Sequence, residues 1–420
     1  MSASYPEVTF NFNRVFFMDD LSIQTASPTT DKLPLAALLA LAMTGFICIV
    51  TETMPAGLLP QISEDLGISQ ALAGQMVTVY ALGSLIAAIP LTIATRGWRR
   101  RNVLLLTIIG FFIFNSITAF SDSYGLTLVS RFLAGVAAGL AWSLLASYAR
   151  RMVAPHQQGR AMAVAMVGVP IALSLGVPVG TYMGSVIGWR TAFWVMSALA
   201  LILIVWVIAK VPDYPGEPAT ERASLRKVFV TPGVRPVLAV VVTWMLAHNI
   251  LYTYIAPFVA SAGLGERIDL VLFIFGVASL VGIWIAGKLV DSHLRLTVLV
   301  SLALFAMTSF VFGFGAHNPV VVSIGVAVWG MTFGGAATLL QTALADAAGS
   351  NADVALSMNV VAWNTAIAGG GIIGGILLDS WGVEVFPASL VILLVVALVV
   401  TWKSRSYGFK TGRRYEEAQI

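Results

Sequence analysis

Charge is scarce in this sequence. Asp, Glu, Lys and Arg make up 10% of its 420 residues, where an ordinary soluble domain carries about 25%. A chain so poor in charge cannot cover a water-exposed surface, which excludes a soluble globular protein. Cysteine is scarcer still. Cys48 is the only one, so it has no partner in the chain for a disulfide and is read as a small packing residue. The sequence has no HExxH, no GxSxG and no clustered Cys/His ligand set. GIWIAGKL at 282–289 has the outline of a phosphate-binding loop, but Leu289 stands where Ser or Thr is required and no strand precedes it. GGGIIG at 369–374 matches a dinucleotide fingerprint by letter only, because it lies inside an apolar run. Neither ATP-driven transport nor ordinary hydrolysis has residues to run on. No enzyme activity, cofactor or metal is expected.

What the chain has is long apolar runs, with 58% hydrophobic residues. Twelve runs approach the roughly 20 residues that cross a bilayer as helix: 33–59, 70–94, 103–120, 126–149, 160–184, 190–209, 236–260, 269–290, 296–315, 319–341, 355–378 and 383–402. They are continuous and rich in Leu, Ala and Ile, without the alternation of membrane strands. The expectation is an all-α membrane protein of twelve transmembrane helices, a monomer surrounded by lipid.

Basic residues set its orientation. RGWRRRN at 96–102, ARRMVAPHQQGR at 149–160, the segment 210–235 and the tail from Lys403 all fall on one side, whereas the other side carries Arg190 and Arg267. By the positive-inside asymmetry both termini are expected to be cytoplasmic. The same loops account for the net charge of +4, so no nucleic-acid partner is needed. Residues 1–32 lack a basic region followed by an apolar core and read as a cytoplasmic leader, not a signal peptide. Met18 is an alternative start.

The chain repeats itself. Segment 210–235 is its longest internal polar stretch and is rich in Pro and Gly, which makes 211–234 a linker between halves at 33–210 and 235–402, with a tail at 403–420. Gly135 and Gly139 precede Gly330 and Gly334 by 195 positions, and Gly180 precedes Gly374 by 194. Gly188–Trp189 is mirrored in reversed order by Trp381–Gly382. Duplicated six-helix halves are a transporter signature, with the substrate site near the midplane between them. Gly176, Gly180 and Gly184 form a small-residue stripe with Pro178 between them, read either as a packing face or as a gating bend.

Glu52 is the only charged residue between Leu33 and Ile62. A charge at membrane depth costs about 2.5–3.5 kcal/mol on insertion scales, so such residues usually face a cavity and serve ions, protons or substrate. The alternative is a carboxylate snorkelling to the headgroups.

TETMPAGLLPQISEDLGIS (51–69), SRFLAGVAAG (130–139), GVPVGTYMG (176–184) with GWRTAF (188–193), YTYIAPF (252–258) and NVVAWNTAIAGGGIIGG (359–375) resemble the corresponding segments of the major facilitator superfamily. Within it they are similar to the twelve-helix drug/proton antiporters, and to bacterial efflux proteins for arabinose, chloramphenicol or purine ribonucleosides. The likeness covers about residues 33–402. It implies two six-helix halves around a central cavity and proton-coupled export of a small organic molecule by alternating access. Uptake symport is the alternative, with a membrane receptor or scaffold behind it. One family motif is incomplete. Its loop glycine, leucine and aspartate survive as Gly287, Leu289 and Asp291, while the first half keeps the arginines of IPLTIATRGWRRR (89–101) and lacks the aspartate. An Asp291–Arg295 latch is therefore expected in the second half only.

At ~1.5 Å per residue, Glu52 lies about 28 Å along the first helix and Arg131 about 8 Å inside the far end of the fourth. The resemblance places both helices on the cavity, and Trp142, eleven residues after Arg131, falls on the same stripe. Glu52 and Arg131 are the expected proton-coupling pair, unless Arg131 is an anchor for helix-end carbonyls. Asn249, Tyr252, Tyr254, Gln341, Asn359 and Asn364 are the candidate substrate contacts, each of which can instead be an interhelical hydrogen bond. His248 is expected to be packed and satisfied. For the topology, Ser123→Cys is expected to react with an impermeant thiol reagent on intact cells and Ala219→Cys is not. The opposite labelling pattern reverses the orientation.

Overall fold

The computed structural model describes residues 33–216 and 225–410. The expected leader, the Met18 alternative, the middle of the linker with Ala219 and the end of the tail lie outside the described residues. Within them every regular element is helical, since a backbone crossing lipid must satisfy its own peptide groups. The spans are α1 (Leu35–Gly57), α2 (Gln70–Ala94), α3 (Arg100–Phe120), α4 (Tyr124–Arg151), α5 (Gln158–Ile187) and α6 (Trp189–Lys210). They continue with α7 (Val234–Thr253, extended by Ile255–Ala260), α8 (268–292), α9 (294–315), α10 (Pro319–Asn351), α11 (Ala352–Trp381) and α12 (Phe386–Lys403).

Eleven helices among the described residues are long and apolar enough to cross a membrane. The longest, Ile268–Gly315, is two spans joined at His293, whose φ of −140° and ψ of 34° leave the helical region. Counting α8 and α9 separately recovers the twelve expected spans. Large apolar side chains such as Phe314, Trp402 and Ile202 remain exposed, which suits lipid and not water.

Three spans are interrupted. A π turn over Ala172–Gly176 divides α5, between Pro170 and Pro178, which lack the N–H that the regular ladder requires. Tyr254 breaks α7 three residues before Pro257, and Gly335 breaks α10. Gly188 and Gly382 make the tight α5–α6 and α11–α12 connections at φ of 96° and 77°, a region that glycine enters without a Cβ penalty.

The spans α1–α6 pack mainly on one another, as do α7–α12, and the two sets meet where α2 lies on α11 and α5 on α8. Glycines set the close approaches, and they do so twice in one register. Gly135 and Gly139 of α4 sit against the backbone at Tyr80 and Ser84 of α2, and Gly330 and Gly334 of α10 against Phe275 and Ser279 of α8. Each glycine follows its partner by 55 positions, and the two sets are 195 apart. A Cβ at any of the four would overlap a backbone carbonyl. The α5 stripe serves the same purpose against α1, with Gly176 on Val50, Gly180 on Met54 and Gly184 on Leu58.

The end of the bundle bearing the basic loops is fastened by two straps. After α6, Asp213 pairs with Arg99 and accepts from the Arg101 amide at 3.3 Å. The Arg100 amide donates to the Tyr214 carbonyl at 2.9 Å, Tyr148 to the Pro212 carbonyl at 2.7 Å and Arg151 to the Pro215 carbonyl at 3.2 Å. Burial alone would raise the Asp213 carboxyl, but its bonds to Arg99 and the Arg101 amide outweigh this and hold it below the usual carboxylate range. After α12, Arg295 donates to the carbonyls of Thr401 at 2.7 Å, Trp402 at 3.0 Å and Phe409 at 3.2 Å. Arg295, expected to latch to Asp291, places its guanidinium on the carbonyls left free at the end of α12. Asp291 is exposed beside the α8–α9 kink.

Gly135→Leu and Gly330→Leu are each expected to destabilise the fold by about 1–3 kcal/mol through overpacking. Gly287→Ala, which meets open space, should be neutral or slightly stabilising. Thermal unfolding in detergent distinguishes the three, and equal midpoints would refute the packing register.

Candidate functional site

Arg131 is fully buried in α4, and Glu52 is nearly so in α1. The Arg131 guanidinium donates from Nε to the Met76 carbonyl of α2 at 3.2 Å and from Nη2 to the Glu52 carbonyl at 3.3 Å. It lies over the rings of Tyr80, 4.8 Å away, and Phe193, 5.7 Å away. Tyr80 in turn donates to the Cys48 carbonyl at 3.0 Å, and Asn115 of α3 to the Thr51 hydroxyl at 3.1 Å. Three spans, α2, α3 and α4, thus converge on one turn of α1. The two residues do share a level, as expected, but the bond runs to the main chain of Glu52 and not to its carboxylate. The anchor alternative for Arg131 shares the carbonyl acceptors, although Glu52 and Met76 lie inside α1 and α2 and not at helix ends. Arg131 Nη1 has no partner.

The second set of spans approaches the same turn through Tyr252 of α7, which is buried within electrostatic reach of Glu52. The other candidates divide. Asn249 and Asn364 are buried and each donates to its own helix, to the Met245 carbonyl at 2.8 Å and the Val360 carbonyl at 3.0 Å. Asn359 is buried with Oδ1 unpartnered. Trp142 is half-buried against α1 at Gly45. Gln341 is exposed on α10, away from this buried group.

Tyr254 sits in a seal instead. Its hydroxyl has the Gly371 carbonyl at 2.7 Å and the Ala71 carbonyl at 3.2 Å as acceptors, and Gln75 donates to it at 3.1 Å. Gln75 also reaches the Gly371 carbonyl at 3.1 Å. Gly371 packs on Thr78, and Gly276 of α8 on Leu173 and Ser174 of α5. These contacts tie α2 to α7 and α11, and α5 to α8, in the part of the bundle away from the basic loops.

Sequence reasoning missed Gln75, Tyr80 and the rings around His248. Gln75, an amide within an apolar run, was the available signal. His248 departs from expectation, since it is packed among rings but its Nδ1 has no partner.

Twelve spans in two similarly packed sets, with a carboxylate buried where the sets meet, define a polytopic membrane protein of the secondary-transporter class. The Major Facilitator Superfamily model matches residues 41–368. The purine ribonucleoside efflux pump NepI of Escherichia coli strain 536 is 31% identical over 362 residues, covering 84% of this chain and 90% of that one. NepI of Shigella sonnei is 30% identical over 364 residues with the same coverage. Among solved structures, a D-xylose–proton symporter aligns with a TM-score of 0.72 at 16% identity, over 90% of this chain and 98% of its own. The partially occluded inward-open form of the xylose transporter XylE from E. coli aligns with the same score at 14% identity, over 89% and 99%. At such identities these two structures share the fold. The chain belongs to the major facilitator superfamily, and it is a multi-pass membrane transporter.

Because a carbonyl anchor uses several guanidinium donors where Lys offers one charged point, Arg131→Lys is expected to destabilise the protein by about 1–3 kcal/mol and to lose most transport. Unfolding midpoints and flux measured together test this. Wild-type stability and flux in Arg131→Lys would show that a positive charge alone suffices.

Proposed function

We propose that this chain is a proton-coupled exporter of purine ribonucleosides in a bacterial cytoplasmic membrane, working as a monomer with both termini cytoplasmic. It has six-helix halves at 33–210 and 235–402, joined by the 211–234 linker. The observation that carries the coupling is Glu52, a carboxylate buried at the junction of α1 with α4 and α7. The nucleoside substrate rests on similarity to the NepI pumps over most of both chains. The export direction follows the likeness of the α5 motif, Gly176 to Gly184, to the antiporters.

In this mechanism Glu52 is the proton carrier and Arg131 positions it by holding its carbonyl. With the basic end cytoplasmic, the seal through Tyr254, Gln75 and Gly371 closes the outer side, and the cavity faces inward. A nucleoside enters from the cytoplasm against Trp142, Asn249, Tyr252, Asn359 and Asn364. The halves then rock about the α5 bend at Pro178, with Asp291 and the straps bounding the motion at the basic end. A proton from outside neutralises Glu52, the substrate leaves outward, and the proton is released to the cytoplasm after the return. Burial favours the neutral carboxyl and hydration the charged one, which is how a change of access becomes a change of protonation.

Glu52→Gln keeps the size of the side chain and removes its titration. In inside-out vesicles with an imposed pH gradient, it is expected to abolish concentrative nucleoside accumulation while leaving folding intact and exchange down a gradient measurable. Accumulation at the wild-type level would place coupling elsewhere.

A further inference from the structure

Beside Tyr252, α7 buries a cluster of rings that the coupling scheme does not use. The His248 imidazole lies flat on Phe333 of α10, with centroids 3.5 Å apart and planes 2° from parallel. Trp329 stands 5.3 Å from His248, and Trp363 of α11 6.5 Å from Phe333. A face-to-face sandwich is the least favoured arrangement of two rings, and no hydrogen bond holds His248 Nδ1 in place. His248 therefore covers the Phe333 face without being locked to it.

Besides Trp244 Nε1, whose indole meets Phe333 edge-on at 6.4 Å, three polar atoms in and around the cluster are buried and unpartnered. Trp329 Nε1 is a donor, His248 Nδ1 is a donor or an acceptor according to tautomer, and Asn359 Oδ1 is an acceptor. Asn359 lies one turn before Trp363 on α11, which puts both on the face toward Phe333. Unpaired buried polar atoms are costly unless a partner arrives. A flat apolar face bordered by donors and acceptors matches a planar nitrogen heterocycle.

We propose that Phe333, His248, Trp329 and Asn359 form a base slot. His248 swings off Phe333, the purine takes its place in the stack, and the three unpartnered atoms bond the purine edges. The ribose lies outside the slot. Tyr252, 5.2 Å from His248 and within electrostatic reach of Glu52, connects slot occupancy to the proton site. The proposal rests on the nucleoside reading and deepens it.

The test uses the full-length protein in proteoliposomes with radiolabelled adenosine. In wild type, inosine and free hypoxanthine are expected to compete, and ribose is not. Phe333→Leu should raise KM for adenosine about tenfold or more, as loss of base stacking implies, with Vmax within about twofold. Trp329→Phe keeps an aromatic ring, smaller than the indole, and loses the N–H, and His248→Phe keeps an aromatic ring and loses the nitrogens. Each should raise KM about three- to tenfold. Unchanged KM in these variants overturns the slot, and so does ribose competing as well as hypoxanthine. Should a variant fail to fold, the wild-type competition series decides alone. Wild type moving no nucleoside at all overturns the substrate class of the preceding reading instead, a distinguishable result.

Discussion

A guanidinium buried at membrane depth needs acceptors, and the centre of α1–α6 is arranged around supplying two of them to Arg131. Its acceptors are main-chain carbonyls of α1 and α2, which have a second lone pair to offer even inside a helix. Reaching Met76 requires α2 to lie close to α4, and Gly135, one turn beyond Arg131, removes the Cβ that would keep Tyr80 away. Tyr80 then presents its ring to the guanidinium and its hydroxyl to the Cys48 carbonyl. The close approach of Gly135, the aromatic contact and the position of Glu52 thus accompany the placing of one cation whose hydrogen bonds go to main-chain carbonyls.

The spans, their number and the duplication were legible in the sequence because length, hydropathy and glycine spacing survive projection onto one dimension. Even the 195-residue offset corresponds to contacts, since Gly135 on Tyr80 and Gly330 on Phe275 are one packing arrangement used twice. The partner of Arg131 was not legible. Residue counts fix height along a helix, and they do not say whether a side chain meets the carboxylate or the carbonyl of the same residue. Tyr254 illustrates the same limit. Its break from helical geometry, set by Pro257, turns its hydroxyl toward α2 and α11. The apolar cluster around His248 was hidden because its members come from α7, α8, α10 and α11, and no periodicity links them.

The seal away from the basic loops is made of hydroxyl and amide donors on carbonyls, together with glycine contacts. Separating it exposes no buried charge, and every group released can find water. Such a contact is suited to repeated opening, because the two states differ by a few neutral hydrogen bonds worth about 0.5–1.5 kcal/mol each. At the other end the packing is lopsided. The straps fasten α6 and α12 to loops of their own sets and do not bridge the sets directly.

The first strap also docks the chain where it leaves α6. Residues 211–216 are held against the Arg96–Arg101 loop, and the short helix Leu225–Phe229 already packs on α11. Both described ends of this connection are thus docked, 211–216 on the first set of spans and Leu225–Phe229 on the second. Each set therefore carries its own end of the connection as part of its folded surface, and movement of one set against the other need not disturb either docking site.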